Sequence, residues 1–151
     1  MKLISIKPLL IALCLLVTLA SCDKEKDEEV EPSRTELLTA NNWKGDRILV
    51  AGTDAANYPN AGDFVPDPKS LSITFKTDGT YAASYVQNGQ TIPASGNWEF
   101  SSDEQSITGN LFGISSDAKI ETLTDTNLTL STTVDVPDFP LPVPVEIRLV
   151  R

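Results

Sequence analysis

The stretch LSITFKTDGTYAASYVQNGQTIPASGNWEF, residues 71–100, decides the fold, because three extended segments and two tight reversals follow one another in it. Leu71, Ile73 and Phe75 alternate with Ser72 and Thr74, the period-two pattern of a strand with one buried face. Asp78-Gly79 ends the run with residues that tolerate positive φ, so the chain reverses into a second strand over residues 80–87, where Tyr81, Ala83 and Tyr85 share a face. Asn88-Gly89 repeats the device, and the third strand runs to Gly96-Asn97-Trp98-Glu99-Phe100, with Trp98 and Phe100 pointing one way and Asn97 and Glu99 the other. The result is an antiparallel meander with one wet face and one dry face.

At the other end of the chain, Lys2 and Lys7 precede an apolar run over residues 8–19, which closes with Leu19-Ala20-Ser21-Cys22. An apolar run this short with small residues behind it reads as a secretory signal over residues 1–21 rather than a membrane span. The L-A-S-C tetrapeptide resembles the lipobox of bacterial lipoproteins. That resemblance implies a chain that begins at Cys22 after processing and is held on a bilayer by acyl chains such as palmitate on that cysteine, since two or more chains anchor a protein where one does not. Cys14 leaves with the signal and Cys22 is taken by lipid, so no disulfide is expected. Residues 22–32 are almost wholly charged after the cysteine and read as a solvated acidic tether. They also resemble the surface-export signal of some Gram-negative groups, which leaves either a plain linker or display on the outside of the outer membrane. Removing Lys2 and Lys7 takes the formal charge from −9 to −11, a surface that repels nucleic acid.

Residues 33–151 suit one domain. Ser33-Arg34-Thr35-Glu36 fits a capping box, so a short helix is expected over residues 35–40. A first strand covers residues 43–50, and a long connection follows to Lys69, with Tyr58 and Phe64 as its large apolar groups. After the meander come a fifth strand over residues 106–111, a sixth over 118–123, a seventh in which Leu128, Leu130, Thr132 and Val134 alternate, and an eighth carrying Val145, Ile147 and Leu149. Eight short strands joined mostly by hairpins predict an all-β, up-and-down antiparallel barrel, which removes the exposed edges of an open sheet. The outward faces carry Lys, Glu, Asn and Ser rather than an apolar band, which argues against a membrane barrel.

The order of short helix, Trp43 strand, long first loop, "TFKTDGTY", "GNWEF", "LTDTNLTL" and terminal "EIRLVR" resembles the lipocalin-like domains of bacterial surface lipoproteins. Lipocalins proper carry their G-x-W on the first strand; here Asn41-Asn42-Trp43 stands there and Gly96-Asn97-Trp98 lies on the fourth. The resemblance implies a barrel that holds one small, largely apolar ligand.

In an eight-stranded meander, alternate connections share an end, so the long first loop, the segment around Phe112 and Ile114, and the Pro-rich residues 136–144 are expected at one rim. The candidate ligand-binding residues are therefore Tyr58, Phe64, Phe139 and Leu141 at the rim and Tyr81, Tyr85 and Trp98 inside. For the three interior aromatics, plain core packing is the competing reading. The Pro-rich segment reads equally as a stiff connection. Asp54, Asp63 and Asp67 lack the spacing of a calcium loop, so no metal is expected, and no cofactor. The chain has no histidine and no free thiol, and Glu99, Glu121 and Glu146 fall on outward faces, so no enzyme is expected. The two readings that remain are a lipid-anchored binding lipoprotein of the bacterial outer membrane and an accessory lipoprotein whose packed barrel contacts another envelope protein.

Overall fold

The computed structural model describes residues 31–58, 65–109, 117–135 and 141–151. The signal, Cys22, the tether up to residue 30, Phe64, Phe112, Ile114 and Phe139 lie outside the described residues.

Ser33 opens the helix α1 (Arg34–Thr39): its hydroxyl accepts from the Glu36 N–H, and the Glu36 carboxylate accepts from the Ser33 N–H at 2.8 Å. The helix is one residue earlier than expected because Ala40 serves as its C-cap. The strands are β1 (Trp43–Val50), β2 (Thr53–Asp54), β3 (Ser72–Phe75), β4 (Thr80–Gln87), β5 (Gln90–Phe100), β6 (Ser106–Gly109), β7 (Ala118–Leu123), β8 (Asn127–Val134) and β9 (Val143–Val150). The reversal between β4 and β5 has both Asn88 (φ 51°) and Gly89 (φ 75°) in the left-handed region, as a two-residue hairpin turn requires. Asp78 buttresses the β3–β4 turn by accepting from the Thr80 N–H at 2.9 Å and hydroxyl at 2.6 Å.

All neighbours pair antiparallel in the order β1-β3-β4-β5-β6-β7-β8-β9, and β1 pairs with β9 from Lys44↔Val150 to Val50↔Val145, which closes the cylinder. The small β2, not foreseen from the sequence, folds back on the end of β1 through Ala51 and Gly52, both at positive φ. β9 begins at Val143 and takes Pro144 into the wall opposite Thr133, while residues 110 and 111 of the expected fifth strand lie outside the described residues.

Two bulges set which side chains turn inward. On β1 the register steps from Gly45↔Leu149 to Arg47↔Arg148, leaving Asp46 as the extra residue, so Ile48 faces the core and Arg47 faces water. On β7 the extra residue is Glu121, which brings Leu123 against the core. The core fills the end of the barrel covered by α1: Leu38, Trp43, Ile73, Ile107, Leu128 and Leu149 are all at most 2% exposed.

The wall has one irregular patch. β3 is short and pairs with β1 only at Trp43↔Ile73 and Lys44↔Ser72. Beyond that point a 3-10 turn, Pro68–Ser70, fills the space between β1 and β4. The Gly45 N–H donates to the Leu71 carbonyl at 2.8 Å, while the Asp67 N–H donates to the Val86 carbonyl and Ser70 Oγ accepts from the Val86 N–H. The end of the long connection, residues 67–70, is therefore wall rather than free loop. Asp54 and Asp67 each cap a 3-10 turn through Oδ1, a structural use for two of the three loop aspartates. Residues Pro32–Arg151 form one compact unit with its own core and a closed wall, and so contain what independent folding requires.

Gly45 is where this patch is tightest: an added Cβ would sit 1.9 Å from the Pro68 carbonyl oxygen, whereas one at Gly89 meets nothing within 4 Å. Gly89→Ala is expected to cost only the ~1–2 kcal/mol of a left-handed backbone, and Gly45→Ala clearly more, read as the shift in denaturant midpoint at unchanged slope. A second expectation concerns acid. The carboxyls of Glu36, Asp46, Asp78, Asp103 and Glu121 lie below their ordinary values, held there chiefly by hydrogen bonds from the Ser33 N–H, Lys69, the Thr80 hydroxyl, the Ser101 hydroxyl and Lys119 respectively. Their stabilisation is fully present above the unfolded values and is lost as pH falls through the lower folded ones. The melting temperature should therefore decline as the pH drops below the ordinary 3.8 of Asp and 4.5 of Glu. The deficit of Asp78→Asn relative to the parent, measured by thermal melts at about pH 6, should close at about pH 2.

Candidate functional site

Inward-facing positions divide into two groups. Towards α1 most are buried, Phe100 and Leu123 being partly so, and Ile48, Ala118 and Val143 are buried farther along the barrel. Towards the other end, Ala83 and Tyr85 on β4, Ile92 and Ala94 on β5, Thr132 on β8 and Val145 and Ile147 on β9 alternate in phase with the buried residues yet stay partly open to solvent. Side chains that point into a barrel and are still reached by water line a space. The register explains why it exists: Ala83 lies directly opposite Ala94, and Tyr81 opposite Gly96, so the β4–β5 wall presents little bulk where Tyr85↔Ile92 forms its upper margin. The connections after β1, β4, β6 and β8 all reach this end, as the parity of the meander predicts.

The floor is the packed aromatic layer. Phe75 meets Trp98 edge-on at 5.6 Å between ring centroids, Trp98 meets Phe100 edge-on at 5.4 Å, and Tyr81 tilts against Phe75 at 6.3 Å. The Trp98 indole N–H is shared between the Lys76 carbonyl at 3.1 Å and the Thr80 carbonyl at 3.0 Å, which locks the β3–β4 turn beneath it. Of the three interior aromatics singled out from the sequence, Tyr81 and Trp98 thus belong to the packed half, and Tyr85 stands in the accessible half. Tyr58, 42% exposed, is at the rim with its hydroxyl donating to the Val50 carbonyl at 3.1 Å, and Leu141 is 74% exposed two residues before β9. Sequence reasoning passed over Ala83, Ala94 and Ile147. The signal that would have found them is their shared phase with Tyr85 together with the small-opposite-small pair.

The space is electrostatically plain. Among the described residues no charged or polar residue is buried as a whole, although guanidinium nitrogens of Arg34 and Arg151 are shielded from water, and strand charges face outward in pairs: Lys119 with Glu121 at 2.8 Å, Arg148 with Glu146 at 2.6 Å. Glu99 accepts from the Thr108 hydroxyl at 3.3 Å on the same outer surface. None of these three glutamates faces the interior, and among the described residues no group of His, Cys, Asp or Glu could hold a metal ion. A groove of about 400 Å³ opens on the outer wall across β8, β9 and β1, lined mainly by outward residues including Ser131, Glu146 and Leu49. It is flanked by Asp117 and Glu146 and also touches Thr132 and Val145, two positions whose side chains are in phase with the interior lining.

Comparison with known proteins places this geometry. Residues 39–130 match the sequence profile of a family described as a lipocalin-like domain. A lipocalin-like protein from Bacteroides uniformis has a similar structure, with a TM-score of 0.50, 16% identity, and coverage of 76% of this chain and 98% of that one. Bovine odorant-binding protein, solved in complex with its natural ligand, is similar at a TM-score of 0.51 and 16% identity over 83% of this chain and 77% of its own. Sequence comparison with curated proteins finds no match. At such identities the structural likeness speaks for the fold alone, but the profile match spans more than half of the sequence and runs from the end of α1 into β8. The chain belongs to the lipocalin-like family.

Proposed function

We propose that this protein is a lipid-anchored binding lipoprotein of the bacterial outer membrane that holds one small, largely apolar molecule in the accessible half of its barrel. The observation that carries the reading is the group of apolar side chains, Ala83, Tyr85, Ala94 and Ile147 among them, that face inward without being buried. A chain gains about 25 cal/mol per Å² by burying such surface, so leaving it open is a cost that a ligand offsets. The bovine relative in fold, solved with its natural ligand, is consistent with that use of the barrel. The Leu19-Ala20-Ser21-Cys22 sequence supports attachment through acyl chains on Cys22, and the acidic residues behind it support a tether long enough to stand the barrel off the bilayer. No catalytic role enters this reading.

Two outcomes are expected. The folded unit from residue 32 to 151 should take up an apolar fluorescent probe such as N-phenyl-1-naphthylamine, and Ala94→Trp should abolish uptake while leaving cooperative unfolding intact. A probe that stays dark with the parent, or binds the tryptophan variant equally well, rejects the site. In cells, Cys22→Ser should move the protein from the membrane fraction to the soluble fraction, and mass spectrometry of the amino-terminal peptide of the parent should show acylation at Cys22. An unmodified Cys22 in the mature chain rules the anchor out.

A further inference from the structure

The accessible half ends abruptly along β4 and β5. Ala83 and Tyr85 are partly open, with Ala94 and Ile92 opposite them, yet the next inward residue of β4, Tyr81, is only 3% exposed. Tyr81 stands opposite Gly96, which has no side chain, so at this level the phenol ring supplies the bulk of the β4–β5 wall. The ring is backed by Phe75, its partner on β3, at 6.3 Å between centroids, and Phe75 in turn meets Trp98 edge-on at 5.6 Å. Because two carbonyls hold the Trp98 indole N–H, a ligand cannot push Tyr81 downward without breaking that aromatic layer.

The strand geometry turns this stop into a length. From Tyr85 to Tyr81 the chain advances about 13 Å along β4. A strand tilt of about 40° leaves about 10 Å of depth along the barrel axis. Carbon atoms of a ligand within that depth meet apolar wall, and those beyond it stay in water.

Resting on the binding reading above, we infer that Tyr81 sets the length of molecule this barrel accepts, and that the ligand is a compact apolar molecule rather than a long-chain lipid. Tyr81 ends the site from below, while the small Ala83 and Ala94 just above it leave the room that a ligand fills. Each methylene buried in that room strengthens binding by about four-fold, and each one left in water adds nothing.

The test is displacement of N-phenyl-1-naphthylamine from residues 32–151 by straight-chain primary alcohols, from hexan-1-ol to dodecan-1-ol. In the parent the affinity should rise about four-fold per methylene up to a limiting length and then level off. Tyr81→Leu, which removes the ring, should move that limit to longer alcohols, and Ala83→Leu, which adds bulk just above it, to shorter ones, each by at least one carbon. An affinity that climbs steadily to dodecan-1-ol in the parent overturns the length limit while leaving the binding reading in place. A limit that stays put in a Tyr81→Leu protein that melts cooperatively overturns the role of Tyr81. Should Tyr81→Leu fail to fold, Ala83→Leu decides by the same criterion. If neither the probe nor any alcohol binds the parent, the binding reading falls and this inference with it.

Discussion

The structure depends on a contact between the two ends of the barrel sequence. The guanidinium of Arg151 lies 3.8 Å from the centre of the Trp43 ring, so the last residue of the chain stacks on the first residue of β1. A cation over an indole face is worth roughly 0.5–2 kcal/mol according to how dry the site is. The same group donates to the Leu37 carbonyl of α1 and, at 2.9 Å, to the Asp125 carbonyl in the β7–β8 turn. The Trp43 indole N–H meanwhile donates to the Leu38 carbonyl at 2.9 Å. Helix, first strand, penultimate turn and carboxyl end are thereby tied at one spot. Burial pushes the Arg151 guanidinium below its ordinary value, and the charge of Asp125 works against that shift; a guanidinium remains protonated throughout the physiological range.

That closure makes the two ends of the cylinder unequal. With α1 and Trp43 sealing one mouth, the large apolar residues of β3, β5, β6 and β8 pack beneath them and supply the core. Among the described residues no α-helix covers the opposite mouth, and its inner wall carries alanines where the closed half carries aromatics. Stability and an accessible interior compete for the same inward positions of one small barrel. Here they are separated along its axis, with Tyr81 and Trp98 in the layer between. Because the ring is completed by β1 pairing with β9, much of the stabilisation is non-local, and topologies of this kind fold slowly relative to their size.

Much of this architecture was legible from local chemistry. The Asp78-Gly79 and Asn88-Gly89 reversals, the Ser33/Glu36 capping box, and the bounds of β1, β4 and β7 follow from turn residues, reciprocal hydrogen bonds and period-two alternation, all of which act within a few residues. The resemblance to lipocalin-like domains followed from the order of those pieces and agrees with the profile match. The site was legible only in part: Tyr85 stands out by size and phase, whereas Ala83 and Ala94 matter because they are small and face one another across a register that pairing alone defines.

By itself the sequence determined that the barrel region is a run of short antiparallel strands with an apolar face and that it offers no histidine. Only the tertiary structure decided which faces turn inward beyond the bulges at Asp46 and Glu121, since strict alternation from Trp43 would have turned Arg47 and Leu49 into the core in place of Ile48. It also decided that the end of the long connection, residues 67–70, becomes wall, because Gly45 leaves room for the Pro68 carbonyl. The reason is common to both: a bulge and a close backbone approach are settled by what the neighbouring strand, remote in sequence, requires, and no local pattern encodes that neighbour.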